Sequence, residues 1–137
     1  MEANIKWVSG MTFKGEQDGH ELFLDLPADM GGRNLGAKPK TLLLTGLGGC
    51  TGMDVVSILA KMRVELDGFE VQLSADQTDE HPKVFRGIHI KYIFRGKDLP
   101  MDKIQKAVTL SEERYCGVSA MLAKACPITR QIVVERS

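Results

Sequence analysis

The segment from Pro39 to Arg63, PKTLLLTGLGGCTGMDVVSILAKMR, constrains the fold of this chain more than any other. It is the most apolar and the most glycine-dense stretch, and Cys50 lies in its middle. Met53, Val56, Ala60 and Met62/Arg63 recur at three- and four-residue steps, which predicts a helix. Pro39 suits a first helical turn. Leu42, Leu43, Leu44 and Leu47 form an earlier helical piece, which Gly46, Gly48, Gly49 and Gly52 are expected to bend or break. Thr51, three residues before Asp54, resembles a capping box and puts a new helix start there. Cys50 would then sit beside a helix N-terminus, where unpaired N–H groups and the helix dipole favour a thiolate. The segment is apolar around more than one face, and such a helix wants cover on every side. A single small sheet of five or six strands covers one side. A second copy of the chain is the simplest source of the rest, so a homodimer is expected.

The flanking sequence supplies the sheet. Residues 4–26 predict strands: Ile5, Trp7 and Phe13 are β-formers, and the turn Glu16-Gln17-Asp18-Gly19 precedes the alternating run His20 to Leu26. Residues 27–38, rich in Gly, Pro and Asn, form a loop whose Gly31-Gly32 pair suggests mobility. Asp67-Gly68 should stop the central helix. Residues 69–77 alternate, and Ile88, Ile90, Tyr92 and Phe94 share one strand face beyond a turn at Asp79-Glu80-His81-Pro82. Leu99-Pro100 opens an amphipathic helix with Ile104, Ala107, Val108 and Leu110 on one side. The charges across 102–113 fit a solvated face. Cys116-Gly117 breaks that helix, Ser119 to Ala125 is a short helix, and Pro127 begins a final strand. The order predicts an α+β domain spanning 1–137.

Composition narrows the function. With 137 residues and a formal net charge of zero, the chain lacks the basic footprint of a nucleic-acid binder. No apolar run approaches the roughly 20 residues of a membrane helix, and the N-terminus lacks the pattern of a signal peptide. A cytoplasmic protein with no nucleic-acid or membrane partner is the expectation. The three cysteines, Cys50, Cys116 and Cys126, are too few and too odd in number for a disulfide framework.

Chemistry therefore centres on the thiols. Cys50 and Cys116 each fall at or near a predicted helix N-terminus among small or polar neighbours. A peroxidatic cysteine needs its thiolate to attack the O–O bond, giving a sulfenic acid, and a second thiol then condenses with it to a disulfide. The plainer alternative is that both are buried core cysteines. Cys126, before Pro127, is better read as structural filler. The glycine run fails the dinucleotide pattern because Thr51 occupies the third glycine position, and no Lys-Ser/Thr follows for a P-loop. His20, His81 and His89 are scattered, and no Cys-x-x-Cys occurs, so no metal or other cofactor is expected. Ser119 follows no nucleophile-elbow pattern.

Pro39-Lys40-Thr41-Leu42-Leu43-Leu44 running into Gly48-Gly49-Cys50-Thr51, with Cys116-Gly117-Val118-Ser119 later, resembles the OsmC/Ohr superfamily of osmotically inducible and organic hydroperoxide resistance proteins. The order of elements matches over nearly the whole chain. The resemblance implies an OsmC-like α+β fold: antiparallel sheets wrapped around central helices in an intertwined homodimer, with active sites at the interface. It also implies thiol-dependent reduction of organic hydroperoxides, with Cys50 peroxidatic and Cys116 resolving. A dithiol such as a lipoylated protein, or a small thiol, would be the reductant. Two positions depart from the family pattern. Lys40 stands where a Glu follows the Pro, and the nearest equivalents of an N-terminal-loop Arg are Lys14 and Arg33. Arg forks bidentately onto a thiolate and a peroxide, whereas Lys is a point charge. This leaves a second reading, an OsmC-like small-molecule-binding protein with weak or no peroxidase activity. A third treats all three cysteines as core.

Overall fold

The computed structural model describes all 137 residues, which divide into two compact units, Met1–Leu43 and Leu44–Ser137. The first unit is a three-stranded antiparallel meander: β1 (Ala3–Ser9), β2 (Thr12–Gln17) and β3 (His20–Leu24). The predicted turn at 16–19 closes β2 onto β3, with Asp18 and Gly19 in the left-handed region at φ 47° and 86°, which glycine and Asp tolerate best.

The loop that follows is tied down, contrary to the expectation of mobility. Ala28–Met30 forms a 3-10 turn. Asp25, 2% exposed, accepts hydrogen bonds from Thr12 Oγ1 (2.8 Å) and the backbone N–H groups of Leu26 (2.7 Å), Leu35 (3.2 Å) and Arg33 (3.4 Å). Burial alone would raise its pKa. The converging donors outweigh that and hold the carboxyl below the ordinary value of 3.8. Gly32 is required here, since a Cβ would lie 1.9 Å from the Leu26 carbonyl oxygen.

Helix α1 (Pro39–Lys61) begins in the first unit and continues through the second. It is one unbroken helix, which corrects the expected break at the glycines and the expected start at Thr51. The physical reason is burial. Each glycine costs about 1 kcal/mol against alanine in a helix. Leu47, Thr51, Val55 and Leu59 form a fully buried stripe at four-residue steps, and burying an aliphatic side chain contributes about 1.5–3 kcal/mol. Gly48 adds a close approach to the sheet, because a Cβ there would meet Leu73 Cδ1 at 2.6 Å. The helix ends at Lys61 rather than at Asp67-Gly68, with Arg63 left-handed at φ 60°. Its length and a mean hydropathy of 1.6 over its most apolar window would suffice to cross a membrane, contrary to the sequence-based expectation. In this fold its buried stripe serves as a core helix face.

The second unit holds β4 (Gly68–Gln77), β5 (Phe85–Gly96) and β6 (Ile128–Arg136) in one sheet, ordered β4-β5-β6. The chain therefore makes two three-stranded sheets instead of the expected single sheet. The β4–β5 hairpin is antiparallel as predicted. The β5–β6 pairing is parallel, matching Ile88 with Ile128 and Tyr92 with Ile132, so the sheet is mixed rather than antiparallel. A parallel partner needs a crossover, and α2 (Met101–Leu110), a π-helical turn (Ser111–Tyr115) and α3 (Gly117–Ala123) provide it. Ile88, Ile90, Tyr92 and Phe94 are at most 2% exposed and join Leu47, Val55, Leu59, Ile104 and Val108 in one core.

Candidate functional site

The site is assembled from α1 and the π-helical turn. Cys50 and Asp54 are one helical turn apart, so their side chains share a face of α1. Cys116 follows the π turn, whose wider winding is fixed by the Cys116 N–H donating to the Ser111 carbonyl at 2.8 Å. Such turns inside helices are frequent at functional sites. The thiols of Cys50 and Cys116 and the carboxylate of Asp54 all lie within 4.8 Å of one another. The two cysteines singled out from sequence therefore meet. Cys50 is half-buried and Cys116 buried.

Their settings differ from expectation in one respect. Cys50 lies in the middle of α1, where backbone N–H groups are already bonded. No helix N-terminus adjoins Cys50, contrary to the expectation from the sequence. Cys116 is the residue at a helix start: it caps α3, and its Sγ accepts the Ser119 N–H at 3.3 Å. Burial nevertheless dominates. It and the neighbouring Cys50 thiol push the Cys116 pKa up to about 11, against the pull of Ser119, and Asp54 adds to the rise.

A buried hydroxyl chain runs from Asp54 to the surface. Ser111 Oγ donates to Asp54 Oδ2 (3.0 Å), Thr51 Oγ1 lies 2.7 Å from Ser111 Oγ and 2.9 Å from the Tyr92 hydroxyl, and Tyr92 donates to Glu112 Oε1 (3.0 Å). Arg130 closes the chain, pairing with Glu112 Oε2 at 3.0 Å and donating to Thr109. Glu112 is thus part of a network, which corrects its reading as solvated surface charge. Burial raises the Tyr92 phenol pKa well above its ordinary value of 10.0. The three hydroxyls carry one proton each, yet the chain has four contacts at hydrogen-bond distance. With Tyr92 and Ser111 both donating outward to carboxylates, Thr51 can satisfy only one of its two contacts.

The site borders a cleft of about 490 Å³ lined by Asp54, Ser57, Ile58, Lys61, Met62, Leu110 and Tyr115. A larger hollow of about 740 Å³, at the Glu2, Glu16, Asp18 and Glu21 end of the first sheet, holds no nucleophile. Sequence reasoning missed Asp54, Tyr92, Ser111 and Glu112 as site residues. Asp54 alone left a signal, being four residues from Cys50 in a helical pattern.

The supporting residues lie in the first unit. Lys14 pairs with Glu21 (3.3 Å) and Glu16 (3.7 Å), which raise its pKa. Arg33 donates to Ser9 Oγ (2.6 Å) and Thr12 Oγ1 (2.9 Å). Lys40 is the second residue of α1 and half-buried. Cys126 is 7% exposed in the core, matching its reading as filler.

Comparison with known proteins shows the family of the chain. Protein YhfA of Escherichia coli is 40% identical over 138 residues, covering 98% of both chains. A hypothetical protein from Aquifex aeolicus has the same fold with a TM-score of 0.88 and 30% identity, covering 99% of this chain and 96% of its own. The organic hydroperoxide resistance protein OhrB of Bacillus subtilis superimposes with a TM-score of 0.69 at 18% identity, covering 96% and 98%, a likeness of fold. The profile of the family described as "OsmC-like protein" matches residues 31–131, a span that contains both the helix carrying Cys50 and Asp54 and the turn carrying Cys116. This chain, as its residues 39–51 and 116–119 suggested, belongs to the OsmC-like family.

Proposed function

We propose that the protein is a thiol-dependent peroxidase that reduces organic hydroperoxides through Cys50 and Cys116, in defence against oxidative stress. The observation that carries this reading is the convergence of the two thiols beside Asp54, which lines a cleft. The Cys50 thiolate attacks the distal peroxide oxygen. The O–O bond breaks, Cys50 becomes a sulfenic acid, and the alkoxide leaves as the alcohol after taking a proton. The Cys116 sulfur then displaces hydroxide from the Cys50 sulfur, forming a disulfide and water. A dithiol reductant, a lipoylated protein or a small thiol, restores both thiols and is itself oxidised.

The working form is a cytoplasmic homodimer of single OsmC-like domains. Support comes from the part of α1 outside its buried stripe, where Met53 is 77% and Val56 49% exposed in the single chain. Lys40, Arg33 and Lys14 remain the candidate cations for the thiolate. The elevated Cys116 pKa and the partners already engaged by Lys14 and Arg33 favour a second reading. In it the cleft binds a small molecule and peroxidase activity is weak or absent.

The test is to treat the reduced protein with a slight excess of cumene hydroperoxide and map its cysteines by mass spectrometry. A rapid Cys50–Cys116 disulfide, absent in Cys50→Ser, is expected. Unchanged thiols in the wild type would refute the peroxidase and leave the binding protein.

A further inference from the structure

The peroxidase reading assigns no part to Asp54, although its carboxylate lies within 4.8 Å of both sulfurs. We propose that the reduced protein binds one thiophilic divalent cation of the zinc class through Cys50 Sγ, Cys116 Sγ and a carboxylate oxygen of Asp54.

The ligand set suits such an ion. Zinc takes thiolate sulfur at about 2.3 Å and carboxylate oxygen at roughly 2.0–2.2 Å, so neighbouring ligands of a tetrahedral site stand about 3.5–3.8 Å apart. Against the 4.8 Å bound here, side-chain rotation has to close about 1.3 Å at most. Calcium and magnesium prefer oxygen alone, whereas two sulfurs and one carboxylate select a borderline or soft cation.

The supports are already in place. Cys50 and Asp54 stand at i and i+4 on α1, an arrangement that fixes two ligands on one rigid element. Cys116 is held by its N–H bond to Ser111 (2.8 Å) and by the Ser119 N–H on its sulfur (3.3 Å). The Ser111 hydroxyl at 3.0 Å from Asp54 Oδ2 is the outer contact that orients a ligating carboxylate, leaving the other oxygen for the ion. Asp54 also lines the cleft beside Tyr115, so the carboxylate ligand is reachable from solvent. A cation also neutralises the negative charge that two thiolates and a carboxylate would otherwise gather at one point.

Reduced, metal-free wild-type protein is titrated anaerobically with Co²⁺ and then with Zn²⁺, without peroxide. One Co²⁺ per chain is expected, with a thiolate-to-cobalt charge-transfer band, tetrahedral visible bands and displacement by Zn²⁺. Cys50→Ser and Cys116→Ser should each weaken binding at least a hundredfold, and Asp54→Asn at least tenfold. Cys126→Ser should bind as wild type. Conversion of the cysteine pair to the disulfide with diamide should abolish binding. A wild-type protein showing no thiolate band overturns the site without recourse to any variant. Asp54→Asn binding as wild type, or Cys126→Ser losing the ion, also overturns it. None of these outcomes depends on whether the protein consumes hydroperoxide.

Discussion

Thr51→Val is the most informative single change. Thr51 is fully buried, within hydrogen-bond distance of both Tyr92 and Ser111. A fully satisfied buried hydroxyl of this kind would ordinarily cost about 1–3 kcal/mol to remove, because its partners are left unpaired. Here they are not. Tyr92 keeps Glu112 and Ser111 keeps Asp54, each at 3.0 Å. The variant loses only the one hydrogen bond that the single Thr51 proton can make, about 0.5–1.5 kcal/mol. It gains a buried methyl group, which offsets this by about 0.8 kcal/mol. Valine and threonine have similar helix propensities, so the backbone adds little. The net change should lie within about 1 kcal/mol of zero. Ser111→Ala makes the contrast, since it deprives Asp54 Oδ2 of its donor and should cost roughly 1–3 kcal/mol. Both are read from urea unfolding of reduced protein at one fixed concentration. A loss above about 2 kcal/mol in Thr51→Val would refute the proton count, because all four contacts would then have to be bonded.

Other perturbations probe other parts of the molecule. Met53→Lys should convert the proposed homodimer to monomers in sedimentation velocity, since a charge replaces an apolar side chain that is 77% exposed in the single chain and that the proposed interface would cover; an unchanged dimer would remove this face from the interface. The Cys116 pKa is raised to about 11 in the folded chain, from an ordinary 9.0. The unfolded chain then loses its proton first, so this contribution is present below pH 9, falls as pH rises and levels off above about 11. Urea midpoints across that range should fall in the wild type and fall less in Cys116→Ala; parallel curves would count against the shift. Asp25→Asn should destabilise the first unit, because an amide cannot accept all the donors that converge on Asp25. With a depressed carboxyl pKa in the folded state, that contribution is present above the unfolded pKa and lost as pH falls through the folded one. Hydrogen exchange of the Leu26 and Leu35 amides should therefore quicken in the variant at neutral pH, and equal protection in both proteins would refute the role.

Local pattern determined much of this protein. Period-two alternation marked β4 and β5, and the buried face Ile88, Ile90, Tyr92 and Phe94 is the one their spacing predicts. Period 3.6 marked α2, and the Cys116-Gly117 break falls where the π turn gives way to α3. The motifs around Cys50 and Cys116 carried the family. Only the tertiary structure decided the rest, because those outcomes depend on contacts between residues distant in sequence. The glycines of α1 read locally as a break, yet burial of Leu47, Val55 and Leu59 outweighs their helix cost, so Cys50 moves from a helix end to a helix middle. Thr51 read locally as a cap, while its partners Tyr92 and Ser111 lie 41 and 60 residues away. The direction of β6 was set by the crossover through α2 and α3 rather than by its own residues. Asp54 became a neighbour of two thiols only once that crossover brought Cys116 back to α1, which is why this cluster was invisible as spacing along the chain.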